Sequence, residues 1–144
     1  MSEPKTRPGT PKPWRNRIVG LEYHRPAELL DHPHQWRIHP EDQVAALRGI
    51  LQEVGIAGAL LAYRSERAGG ALVKVDGHAR ASLGDAEWPV LVLDVEDSEA
   101  DMLLATFDPL GAQAQTDKAK LESLLDEVTV QDGTLSDMLD ALRG

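Results

Sequence analysis

The sequence predicts an α+β domain, a small mixed sheet flanked by helices with a helical C-terminal part. Two brief apolar runs, Ala59-Leu60-Leu61-Ala62-Tyr63 and Ala71-Leu72-Val73-Lys74-Val75, enclose a polar stretch from Arg64 to Gly70 and read as a hairpin. From Glu41 the apolar residues Val44, Leu47, Ile50, Leu51 and Val54 recur at helical spacing, and Gly55 follows where such a helix would close. After Ser98 the helical period returns and persists to the C-terminus. With 144 residues, of which 42% are hydrophobic, the chain can bury one core and is too short for two ordinary domains.

The remaining elements follow in order. Residues 1–16 carry four prolines, several basic residues and little that is apolar besides Trp14, so they cannot offset their own ordering entropy and read as a flexible basic arm. A solvated leader is its first reading, and a basic tether for nucleic acid or an acidic partner its second. Residues 17–130 form the expected domain. Within it, Ile18-Val19-Gly20-Leu21 reads as a short strand and Pro26 to Leu30 as a turn with a short helix. The stretch from His32 to Pro40 reads as a loop. Pro89 precedes Val90-Leu91-Val92-Leu93-Asp94-Val95, the strongest buried strand. Ser98-Glu99-Ala100-Asp101 opens a helix whose acidic residues suit the positive end of its dipole. Leu121, Leu124, Leu125 and Val128 mark a further helix. Residues 131–144, with Leu135, Met138, Leu139 and Leu142, mark a short amphipathic helix, packed on the body or linking to a partner domain.

Charge and composition exclude several functions. Cysteine is absent, which removes disulfides, thiolate zinc sites and a cysteine nucleophile. The net charge is −9, yet residues 1–17 hold five basic residues against Glu3 alone. From Asp94 onward thirteen acidic residues face only Lys118, Lys120 and Arg143, so the folded body repels a phosphate backbone. The lack of a long apolar run and of a leader pattern leads us to expect a cytoplasmic chain with no membrane partner.

The best candidate site is Asp76-Gly77-His78-Ala79-Arg80. A strand that ends in Gly and opens a helix exposes backbone N–H groups to a phosphate, and Arg80 adds a planar cation. Arg37 reaches the same anion if the hairpin packs beside the first helix. His32, His34 and His39 cluster in the loop, but their spacing matches no zinc pattern. Trp36 either anchors the loop to the core or stacks on a base, and Trp88 reads as core. There is no nucleophile elbow and no Walker-type loop.

In order and spacing these segments resemble the ParB/sulfiredoxin superfamily, and within it the phage- and plasmid-type ParB-like nuclease domains. Leu29 to Pro40 resembles the first box of that family, of the form His-Pro-x-Asn-x-Arg-x-His. Gln43 to Leu47 and Glu53-Val54-Gly55 resemble its helix, and Asp76 to Arg80 stands where relatives carry Gly-His-x-Arg, Gly-Glu-Arg-Arg or Gly-Cys-His-Arg. His78 stands at the sulfiredoxin cysteine, which excludes sulfinic-acid reduction. It also replaces the glutamate of partition proteins, Ala79 supplies no second arginine, and Asp108-Pro109 occupies a region where relatives have Asn-Arg.

The resemblance implies a nucleotide-binding module for ATP or CTP in DNA partition, modification or phage biology. In it Arg37, Gly77, His78, Ala79 and Arg80 hold phosphates, Trp36 stacks on the base and Asp76 meets a magnesium ion brought by the nucleotide. His78 stands nearest to any chemistry; if it titrates near its usual pKa of about 6.5 it could serve as donor or general base in a slow triphosphate hydrolysis. Two alternatives remain open: a non-catalytic interaction module of a DNA methyltransferase or partition system, and a DNA nuclease.

Overall fold

The computed structural model describes residues 13–112 and 114–144, so the first twelve residues of the basic arm lie outside it, as do the side chains of Asp108 and Pro109. Four strands, β1 (Ile18–His24), β2 (Leu60–Ser65), β3 (Ala71–Asp76) and β4 (Trp88–Leu93), form one mixed sheet in the order β1-β4-β2-β3. β2 and β4 run parallel, and the two outer pairings are antiparallel. Among the described residues five α-helices accompany the sheet: α1 (Glu41–Glu53), α2 (His78–Ala81), α3 (Asp97–Ala112), α4 (Lys118–Glu127) and α5 (Gly133–Leu142). The α+β class and the mixed sheet agree with the sequence reading.

Alternation along the strands divides the core between the two faces of the sheet. On one face Leu60, Ala62, Leu72, Trp88, Val90 and Val92 pack with Leu29, with Ala81 of α2 and with Leu51 of α1. On the other, Tyr63, Val73, Val75 and Leu93 pack under Ala100 and Leu103 of α3. The start of α3 is pinned by one carboxylate. Asp97 accepts the Tyr63 hydroxyl at 2.7 Å, the Ser65 hydroxyl at 2.6 Å and the Arg67 backbone N–H at 3.1 Å.

The elements sit where periodicity put them, with shifted ends. β1 extends to His24 and β2 to Ser65, beyond the expected Leu21 and Tyr63, because pairing partners continue: Tyr23 faces Pro89, and Ser65 faces Ala71. β4 begins at Trp88 and so includes Pro89. A proline is tolerated there because only β1 flanks this position, the β2 register beginning at Val90. α1 starts behind an extended Pro40 with Glu41 and Asp42 in its first turn, and Gly55, at φ 102°, follows its end.

α5 lies against α1. The Asp132 carboxylate caps α5 by accepting the Leu135 N–H at 2.8 Å and occupies the space that a side chain at Gly49 would need. The Glu53 carboxylate in turn accepts the backbone N–H groups of Gln131 and Asp132.

The connection from β3 to α2 is a single glycine. Gly77 has φ 100°, and a Cβ there would stand 2.3 Å from Leu60 Cδ2, at the centre of the first core cluster. Gly77→Ala therefore combines left-handed strain with a core collision, and urea unfolding is expected to show a loss of about 1–3 kcal/mol.

Candidate phosphate site

The turn after β3 and the loop before α1 face each other across a cleft. It is lined by Gln35, Arg37, His39 and Gln43 on one side and by Asp76, Gly77, His78, Ala79 and Arg80 on the other, with Leu104 and Phe107 of α3 behind them. Arg37, Asp76, Gly77, His78, Ala79 and Arg80, separated in the sequence, are thus brought together. The loop contributes alternate residues. Gln35, Arg37 and His39 line the cleft, whereas Trp36 does not; its indole N–H donates to the Leu104 carbonyl at 3.4 Å, tying the loop to α3.

The cleft holds about 150 Å³. That suits phosphate groups, since pockets enclosing a whole drug-sized ligand measure roughly 300–1,000 Å³. A second, more open depression of about 350 Å³ shares Gln35, Arg37, His39, His78 and Ala79 as a common wall and adds Asp31, Lys74 and Ser82.

Arg80 is held before any ligand arrives. Its guanidinium donates to the Ala59 carbonyl at 3.4 Å and to the Asp76 carboxylate at 3.3 Å, spread over the Cα atoms of Gly58 and Gly77. Asp76 is accordingly engaged by Arg80, with half of its side chain still exposed. Among the described residues, no group of three or more His, Asp or Glu side chains forms a metal cage. A magnesium ion at Asp76 would therefore need oxygens from the nucleotide itself.

His78 departs from the sequence expectation. Burial, reinforced by the nearby Lys74 ammonium, pushes its pKa from 6.5 down to about 4, so it does not titrate near its usual value. Its Nε2 accepts the His32 backbone N–H at 3.2 Å. The neutral ring therefore carries its proton on Nδ1, and Nε2 is not available as a general base. Lys74, buried in β3, is paired with Asp31 at 2.7 Å, and this pairing holds the Asp31 carboxyl below its usual range.

Behind His78 stands a set of residues that sequence reasoning passed over. His32, almost fully buried, has its Nε2 2.8 Å from Asp101, and Asp101 also receives two bonds from Arg67, at 2.5 and 3.2 Å. The histidine cluster in the loop was visible in the sequence. Its partner on α3, 69 residues away, carried no local signal.

No protein-family model and no curated protein matches this chain in sequence. Solved structures do match in fold. The C-terminally truncated chromosome-partitioning protein ParB from Caulobacter crescentus, complexed with CTP-gamma-S, superposes with a TM-score of 0.58 at 17% identity, covering 86% of this chain and 79% of that one. A Pnob8-like ParB-N domain superposes at 0.52 and 20% identity, covering 90% of this chain and 63% of that one. The chain has a ParB-like fold. At these identities the likeness concerns the fold alone.

The depressed His78 pKa has a stability consequence. An unfolded His78 takes up a proton near pH 6.5 and the folded one only near pH 4, so the contribution is complete above 6.5 and is lost as pH falls through that window. Burial lowers the His32 pKa as well, and that residue acts in the same direction. Urea unfolding between pH 7 and pH 4 is expected to show His78→Gln losing less stability than the native chain.

Proposed function

We propose that the chain is a nucleotide-binding module that holds the phosphates of a nucleoside triphosphate, CTP or ATP, between Arg37, Arg80 and the backbone N–H groups of the Gly77 to Ala79 turn. The observation that carries this reading is the convergence of two guanidinium-bearing residues and a glycine-opened helix start on one phosphate-sized cleft. The CTP-gamma-S complex of the ParB with the same fold supports the choice of ligand class. Sugar and base would extend into the adjoining depression, whose wall includes the donors and acceptors of Gln35, His39 and Ser82.

Within this reading Asp76 meets magnesium only through the bound phosphates, and His78 serves as a neutral donor rather than a base, which favours binding over rapid turnover. The biological setting we propose is DNA partition or modification, in which the chain acts beside a DNA-binding or DNA-modifying partner. The acidic surface disfavours direct contact of the body with a duplex.

Calorimetric titration with CTP, ATP and their non-hydrolysable analogues, with magnesium present, tests the reading. We expect saturable binding to at least one of them. Arg80→Ala should weaken it about 10- to 100-fold, the loss of a charge-assisted contact of 1.5–3 kcal/mol. Absence of binding to every nucleotide, in a chain that remains folded, refutes the reading.

A further inference from the structure

The hydrogen bonds behind the cleft fix two histidine tautomers in sequence. The His34 backbone N–H donates to His32 Nδ1 at 2.9 Å, so the neutral His32 ring must hold its proton on Nε2 and donate it to Asp101 at 2.8 Å. Arg67 Nη2 also lies 3.2 Å from His32 Nε2, but both groups are then donors, and Asp101 Oδ1 is the acceptor they share. His32 is thereby anchored from the far side of the sheet edge. Its own backbone N–H is aimed at His78 Nε2, at 3.2 Å. One carboxylate on α3 is thus linked, through a buried imidazole, to the backbone N–H that meets His78 Nε2.

We propose that Asp101, acting through His32, is a positioning residue for His78, holding it as the Nδ1–H tautomer so that the ring enters the cleft as a neutral hydrogen-bond donor to a phosphate oxygen. The role at the phosphate rests on the function proposed above; the coupling of Asp101 to the His78 tautomer does not. A neutral donor suits this place. Burial and the Lys74 ammonium oppose a charge on His78 more than Asp31 and Asp76 favour it, so a protonated ring there would have to be desolvated beside a cation. Asp101 lines neither depression. Its partly exposed position on α3 and its bonds to Arg67 would otherwise read as a plain surface ion pair, worth little in itself.

Long-range ¹H–¹⁵N correlation spectra of the full chain at pH 7 report the protonated nitrogen of each histidine, and His78→Gln identifies the His78 signals. In the native chain His78 is expected with its proton on Nδ1. In Asp101→Ala its signals should shift towards a mixture of tautomers, and affinity for the nucleotide that binds best should fall roughly three- to tenfold, the loss of one neutral hydrogen bond. Asp101→Asn keeps an acceptor oxygen and should restore both readouts. Arg67→Ala, which leaves the His32 to Asp101 bond in place, should leave the tautomer unchanged. If Asp101→Ala fails to fold, Asp101→Ser is too short to reach His32 and carries the same expectation. A native His78 protonated on Nε2, or a tautomer unmoved in Asp101→Ala and Asp101→Ser, overturns the proposal. A tautomer that follows Asp101 in a chain that binds no nucleotide supports the coupling and refutes the phosphate reading alone.

Discussion

The contact on which the site depends is the approach of Gly77 to Leu60, where β3 ends and α2 begins. The chain has to leave the sheet, reverse its twist and open a helix within a single residue, directly above the first core cluster. Glycine alone satisfies both demands, since the backbone is left-handed and the space for a Cβ is already filled. Everything chemical follows from that turn. It sets the first residues of α2 across the cleft from the loop before α1, places His78 against His32, and lays Arg80 back across Gly77 and Gly58.

Most of the fold was legible in the sequence because its elements are long enough to show their periods. The amphipathic spacing of α1 and the paired apolar runs of β2 and β3 needed no tertiary information. Element ends were less legible because they are decided by partners: Ser65 belongs to β2 because Ala71 lies opposite, and Pro89 to β4 because Tyr23 does. Of the residues named from motif order, Arg37 and Asp76 to Arg80 line the cleft and Trp36 does not. Loop alternation turns it towards α3, where its indole N–H finds a carbonyl. What local sequence could not disclose is the support behind the cleft. Lys74 sits in an apolar run and Asp101 in an acidic helix start, and neither residue type betrays a partner 43 or 69 residues away.

The acidic composition and the proposed anionic ligand are compatible on grounds of distance. At physiological ionic strength a surface charge is screened over about 8 Å, so guanidinium groups within the cleft outweigh any carboxylate farther from it than that. Local pairing matters more. Asp76 holds Arg80 in place but leaves half of its own side chain in water, and Asp31 takes up the charge of Lys74 where the strand is buried. The cleft is thus arranged cation by cation within a protein of opposite overall sign.

Leu30 meets β3 as a one-residue bridge, its N–H donating to the Leu72 carbonyl and its own carbonyl accepting from Lys74. That bridge closes one flank of the sheet, while β1, with Val19, Leu21 and Tyr23 exposed, forms the other. The sheet is consequently polar in its capacity to grow. Strand addition at β3 would have to displace the Leu30 bridge, whereas β1 carries no such bridge among the described residues.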